Sequence, residues 1–147
     1  MYEKIKLKTS NKWLYRFAVF TMLCTFILIF MGGLVKSTES GLAVPDWPTT
    51  YGENMFTFPL SSMVGGILYE HSHRLAASFV GFCILILAIW IGFSNQKKSL
   101  KILGWSALGA VIVQGILGGL TVLFFLPAWI SVTHGTLAQI TFCLTIA

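Results

Sequence analysis

The sequence predicts an all-α membrane protein: a bundle of four transmembrane helices built from two pseudo-repeated helical hairpins. Of its 147 residues, 56% are apolar and only 10% are charged. A soluble domain of this size carries about 25% charged residues, so much of this surface must face lipid. The apolar residues lie in four long runs, and two of these runs carry the same Gly-Gly-Leu tripeptide near one end.

The four runs predict one domain over residues 17–147. Each of the first three has the ~20 apolar residues that a helix needs to cross a hydrocarbon core of ~30 Å. Lipid cannot satisfy backbone polar groups, so the runs must be helical. The fourth run is still apolar at its last residue, and we expect either a compact four-helix form or the first part of a longer protein. The predicted segments are a basic amino terminus at 1–16, spans at 17–35, 63–93, 102–126 and 130–147, and a long outer loop at 36–62.

The positions of the charges predict the orientation of the chain. Eight of the ten Lys and Arg residues lie before the first span or between the second and the third. Such an excess is typical of the cytoplasmic side of a membrane. We therefore expect a multi-pass protein of the plasma membrane with a cytoplasmic amino terminus, and no nucleic-acid partner. A signal peptide is the alternative interpretation of the first run, but that run exceeds roughly 7 to 15 residues and no A-x-A site follows it.

A cluster of ionisable residues directly precedes the apolar part of the second span. On a helix, Glu70 shares a face with His73 and Arg74, which follow it by three and four positions. His71 points roughly 160° away from His73 and is expected on another surface. Ionisable groups near membrane depth are expensive and usually functional. A polar cap at the start of a helix is the alternative interpretation.

A second histidine, His134, lies at the same depth as His73, on a span that runs in the same direction. Structural zinc requires four close nitrogen or sulfur ligands, and no cysteine or well-directed third histidine accompanies these two. Facing histidines in a helical bundle suit the axial positions of a haem instead. The sequence therefore favours a haem site near the outer face, with Arg74 placed to pair with a propionate.

Three more residues are candidates for the lining of this site. Gln114 and Gln139 lie within spans, where they either line the cavity or form hydrogen bonds between helices. Trp47 lies in the long loop, which is expected either to cover the mouth of the bundle or to form an interfacial aromatic belt. The repeated Gly-Gly-Leu tripeptides each precede an outer connection and then a histidine-bearing helix. Each hairpin is thus expected to supply one ligand.

Several of these segments together resemble the haem A synthase family. The resemblance covers nearly the whole chain after residue 17. The segments that carry it are GGLVKSTESGL at 32–42, PDWP at 45–48, EHSHR at 70–74, QGILGG at 114–119, ISVTH at 130–134 and LAQ at 137–139.

The resemblance implies a specific chemistry. Members of the family have two four-helix halves, and they oxidise the C8 methyl group of haem O to the formyl group of haem A, which terminal oxidases use. This sequence resembles the first half, which holds the substrate haem, so a haem b is expected in a second half that is not present here. The resemblance implies that His73 and His134 are axial ligands and that Glu70 is the carboxylate beside the reacting carbon. Some members have a cysteine pair in the first outer loop, and this chain has none.

Two other function classes remain open from the sequence. One is a non-enzymatic haem-binding membrane protein, either a b-type electron carrier or a haem carrier. The other is a structural membrane subunit whose histidines only pack. The expected partners of the enzyme are the lipid bilayer, haem O, haem O synthase, the missing C-terminal half or a second copy, and an unidentified electron-transfer protein.

Overall fold

The computed structural model describes residues 12–147, and the basic residues before Lys12 lie outside this range. The described chain is all-α, with four long helices packed as a bundle and one short 3-10 helix. Helix α1 contacts α2 and α4, and α3 contacts α2 and α4, so α2 and α4 are diagonal in the bundle. The elements are α1 (Lys12–Ser37), a 3-10 helix (Leu60–Ser62), α2 (Gly66–Phe93), α3 (Lys98–Leu123) and α4 (Ala128–Ile146).

Three of these helices, α1, α2 and α3, are long and apolar enough to cross a membrane. The protein is thus a multi-pass membrane protein, although α4 does not meet the same criteria. Its length of 19 residues is sufficient, so its many polar side chains account for the difference. The polar side chains of α4 are Ser131, Thr133, His134, Thr136, Gln139, Thr141 and Thr145.

Helix α2 forms most of the buried core. Val80 and Ile84 of α2 pack with Ala107 of α3 near the middle of the bundle, while Leu87 and Ile91 pack against Leu14 of α1 further along. Many other large apolar side chains are exposed on the outside of the bundle, as is required of a surface that faces lipid. These two clusters of buried apolar residues therefore lie in the part of the bundle away from the long loop.

The long loop (residues 38–65) covers the other end of the bundle, which we call the loop end. Helix α2 follows the long loop and α4 follows the turn after α3, so both helices begin at the loop end. The turn between α3 and α4 lies there too, where Leu126 approaches Gly41 of the long loop. Phe125 and Leu126 both have positive φ angles, so the chain reverses there within a few residues.

Candidate functional site

The structure places His73 and His134 on the two diagonal helices at the loop end. Each lies about two turns into its helix. Neighbouring helices in a bundle lie ~8–10 Å apart, so the diagonal is ~11–14 Å. The two histidines thus lie at the same end of the bundle and at similar depths in their helices.

Each imidazole is seated against a glycine of the preceding helix. A Cβ atom added at Gly32 of α1 would lie 3.1 Å from Cε1 of His73, and one added at Gly118 of α3 would lie 3.3 Å from Cε1 of His134. The missing side chains let the rings lie close to the helix backbone. The same glycine-to-histidine contact therefore occurs in both hairpins, and the glycines belong to the two Gly-Gly-Leu tripeptides.

Unpaired polar atoms concentrate at this site. In the described part of the chain, the buried side-chain nitrogen and oxygen atoms without a hydrogen-bond partner are Nδ1 of His73, Nδ1 of His134, Oε1 of Gln114 and Oγ of Ser131. Buried polar groups in folded proteins are nearly always paired, and a cluster of exceptions points to a ligand. Ser131 precedes His134 by three positions on α4 and was not predicted as a site residue, although it stands within the resembling segment ISVTH.

The two glutamines differ in their surroundings. Gln114 is buried, and its Nε2 donates a hydrogen bond of 3.0 Å to the backbone carbonyl of His134. Gln139 is exposed on α4. Gln114 thus fixes α4 against α3 beside the histidine, while its carbonyl oxygen remains available to a ligand.

Glu70 is buried and holds the long loop. Its Oε2 accepts a hydrogen bond of 2.7 Å from the backbone N–H of Val44, and its Oε1 accepts one of 2.6 Å from Arg74. The i,i+4 spacing on α2 brings these two side chains together. The carboxylate is paired with one cation, which is the arrangement that makes a buried charge tolerable.

The guanidinium of Arg74 is surrounded by backbone carbonyl groups of the long loop. Its Nη1 donates to Asp46 at 2.7 Å and to Thr49 at 3.1 Å, and its Nη2 donates to Val44 at 2.7 Å as well as to Glu70. Both terminal nitrogens are therefore engaged within the protein. The pairing with a propionate that the sequence suggests would require some of these hydrogen bonds to be exchanged.

Two further contacts attach the long loop to the bundle. The indole ring of Trp47 lies on the backbone of α3, since a Cβ atom added at Gly119 would come within 2.5 Å of it. His71, which is 1% exposed, forms a hydrogen bond with Thr50 and packs on the ring of Phe58. His71 thus contacts the long loop and lies on a different face of α2 from His73.

Asp46 stabilises the turn that follows Trp47. Its carboxylate accepts hydrogen bonds from the hydroxyl of Thr49 and from the backbone N–H groups of Tyr51 and Gly52. Slight burial acts to raise the pKa of Asp46, but these hydrogen bonds favour the charged form and hold its pKa below the ordinary value. The turn is therefore built around an ionised carboxylate.

The residues at the loop end fit a haem. No group of three His, Cys, Asp or Glu residues that could hold a bare metal ion occurs within residues 12–147. Two histidines on facing helices of a bundle are a ligand pair that suits a haem, and the unpaired atoms of Gln114 and Ser131 belong to residues next to His134. Two apolar grooves of about 460 and 330 Å³ open on other surfaces, and neither is lined by these histidines.

Comparison with known proteins identifies the family. The COX15-CtaA family, described as a cytochrome oxidase assembly protein, matches residues 15–64 and 53–146. The chain belongs to this family. The haem A synthase of Alkalihalophilus pseudofirmus is 34% identical over 116 residues, which are 78% of this chain and 38% of that protein.

Other haem A synthases give the same result. The relative from Exiguobacterium sibiricum is 29% identical over 136 residues, which cover 90% of this chain and 44% of the relative. The relative from Lysinibacillus sphaericus is 30% identical over 134 residues, which cover 90% of this chain and 42% of the relative. The chain thus spans about two fifths of the length of these curated relatives. No solved structure matches it.

Proposed function

We propose that this member of the COX15-CtaA family forms the substrate-haem half of a haem A synthase, which oxidises the C8 methyl group of haem O to the formyl group of haem A. The observation that carries the proposal is the pair of glycine-seated histidines on diagonal helices, with unpaired polar atoms around them. A structural subunit has no use for these unpaired atoms. The relatives named haem A synthase support the choice of reaction.

In this proposal α4 crosses the membrane with the other three helices, and the chain is a pseudo-repeat of two hairpins. The amino terminus is cytoplasmic, the protein lies in the plasma membrane, and the loop end faces outward. The Lys residues in the α2–α3 connection and at the start of α3 support this orientation. The second four-helix half, which would hold a haem b, is supplied by further chain, by a separate protein or by a second copy.

His73 and His134 would hold the substrate haem O through its iron. Imidazole binds iron through one nitrogen, and the other normally donates a hydrogen bond to a carbonyl group. The rings of His73 and His134 are each seated on a glycine of the preceding helix, so both can keep the same orientation.

The remaining site residues position the substrate or act on its methyl group. Gln114 offers its free carbonyl oxygen to the ligand, while Trp47 borders the site from the long loop and Arg74 borders it from α2. The exposed Gln139 is proposed to meet the ligand or the missing half at the edge of the bundle. Glu70 is the acid–base candidate: its carboxylate can take up a proton or stabilise positive charge near the methyl carbon. Conversion of a methyl to a formyl group is an oxidation that adds an oxygen atom, so the reaction would also require an oxygen donor and a separate electron-transfer partner.

The proposal is tested by expressing the chain in a host whose membranes contain haem O, with and without the C-terminal half of a relative. The purified chain should show a Soret band, and pigment extracts should contain haem A by mass spectrometry. Glu70→Ala should abolish haem A, while His73→Ala and His134→Ala should remove the Soret band. Bound haem that is never converted, even with the C-terminal half present, would instead indicate a haem carrier. A chain without bound haem would refute the proposal.

A further inference from the structure

Arg74 makes three of the hydrogen bonds that attach the long loop to the bundle next to the proposed haem site. A guanidinium group has five N–H donors, and the two terminal nitrogens of Arg74 already make four hydrogen bonds, three to loop carbonyl groups and one to Glu70. The side chain therefore holds several backbone groups of the long loop in place. A ligand anion could bind the terminal nitrogens only by displacing some of these hydrogen bonds.

The three carbonyl groups that Arg74 binds enclose Trp47 in the sequence, because they belong to Val44, Asp46 and Thr49. Fixing the backbone on both sides of Trp47 limits where its side chain can lie. The side chain lies across α3: a Cβ atom added at Gly119 would be 2.5, 2.7 and 2.8 Å from Cδ2, Cε2 and Cε3 of the indole. Three neighbouring ring atoms at similar distances mean that the ring meets the helix with its face.

The place where the indole meets α3 adjoins a ligand seat. Gly119 follows Gly118, which seats the imidazole of His134. The two consecutive glycines thus serve two different rings, one from α4 and one from the long loop. A shift of the indole would be transmitted to the His134 side of the site through one residue of backbone.

We propose that Arg74 is a positioning residue of the haem site: by binding the carbonyl groups on both sides of Trp47, it holds the indole on Gly119 beside the seat of His134. The inference rests on the proposed haem site for its functional meaning. Its structural content, that Arg74 acts through the loop and Trp47, is independent of whether haem binds.

Hydrogen exchange in lipid nanodiscs tests the role of Arg74. Loss of hydrogen bonds to a charged group should make amides in the peptide covering residues 43–52 exchange about ten- to a hundredfold faster in Arg74→Lys and Arg74→Gln. Lysine keeps the charge but cannot span the three carbonyl groups. The matched control is Arg16→Lys, which changes the other arginine of the chain. Unchanged exchange in Arg74→Gln would overturn the proposal, most directly if binding of added haemin weakened at the same time.

A second set of variants tests the contact between Trp47 and Gly119, and it does not depend on the folding of the Arg74 variants. Gly119→Ala should raise exchange in the same loop peptide, because its Cβ overlaps the indole. Gly115→Ala, one turn earlier on α3 with nothing within 4 Å of the added carbon, should not. In a Trp47→Ala background, Gly119→Ala should have no further effect on the loop. A persisting effect in that background would overturn the proposal.

Haemin binding separates the two proposals. If the wild-type chain binds haemin, the Soret bands of Arg74→Lys and Trp47→Ala should shift in the same direction, since the first variant releases the indole from Gly119 and the second removes it. Shifts in opposite directions would count against positioning through Trp47. If the wild-type chain binds no haemin, the proposed function fails, while the exchange measurements on the chain without haem still decide the role of Arg74.

Discussion

The two glycine seats give the sharpest prediction for haem binding. Replacing Gly32 by alanine places a carbon 3.1 Å from Cε1, 3.7 Å from Nε2 and 3.8 Å from Nδ1 of His73. Carbon atoms in favourable contact lie ~3.5–4.0 Å apart, so the imidazole must move by a few tenths of an ångström. A ligand nitrogen that is displaced in this way no longer points along the axis of the haem.

The magnitude follows from the cost of overpacking. Inserting a methyl group into a packed site costs about 1–3 kcal/mol, and each 1.4 kcal/mol changes a binding constant tenfold. Haemin should therefore bind Gly32→Ala about 5- to 150-fold more weakly than the wild type. Alanine also stabilises a helix by roughly 0.5–1 kcal/mol relative to glycine. The chain without haem can thus become more stable while its affinity for haemin falls.

The assay is a haemin titration in nanodiscs, followed by the Soret band, with thermal unfolding of the chain without haemin alongside. The matched control is Gly33→Ala, because nothing lies within 4 Å of a Cβ atom at Gly33. It should keep wild-type affinity, and Gly118→Ala should behave like Gly32→Ala, with a smaller loss because its contact is 3.3 Å. Equal affinities of Gly32→Ala and Gly33→Ala would refute the assignment of Gly32 as a seat for a ligand.

Two further predictions concern the neighbours of the site. Gln114→Ala removes the hydrogen bond to the carbonyl of His134 and should lower the free energy of unfolding by about 0.6–2 kcal/mol. Gln139 is exposed, and Gln139→Ala should change this free energy by less than about 0.5 kcal/mol. Equal losses in the two variants would contradict the greater burial of Gln114. Because the pKa of Asp46 lies below its ordinary value, its stabilisation of the turn is complete above about pH 4 and is lost as the pH falls further, through the lowered pKa. Exchange of the loop amides, corrected for intrinsic rates, should therefore rise over this acid range in the wild type and change less in Asp46→Asn, and equal pH dependence in both would contradict the role of the carboxylate.

The sequence predicts the helices better than it predicts where they end. Hydropathy marks the part of a helix that lies in lipid, whereas α1 already includes Lys12, before the predicted start of its span at residue 17, and α2 begins at Gly66, after the predicted start at residue 63. The third apolar run continues to residue 126, but α3 ends at Leu123, because Phe125 and Leu126 adopt positive φ angles. No glycine marks this reversal in the sequence, so the residue types alone could not locate it.

The candidate site, like the helices, could be predicted from the sequence only in part. The shared depth of His73 and His134 could be read from the sequence, and the spacing of the Gly-Gly-Leu tripeptides hinted at the glycine seats. The contacts of Arg74 could not be predicted, since its partners are backbone carbonyl groups 25 to 30 positions away in an irregular loop. A loop without periodicity does not show which of its residues lie next to α2. From the sequence alone, a bound ligand and the long loop are therefore equally reasonable partners for Arg74.

These contacts change what a loss of activity in Glu70 variants would mean. Both carboxylate oxygens serve the long loop, one through Val44 and one through Arg74. Loss of conversion in Glu70→Ala would follow either from a missing acid–base group or from release of the loop. Arg74→Lys separates the two, because it leaves the carboxylate in place and should still release the loop. If Arg74→Lys converts haem O while Glu70→Gln does not, the carboxylate takes part in the chemistry. If both fail and both release the loop, positioning alone accounts for the need for Glu70.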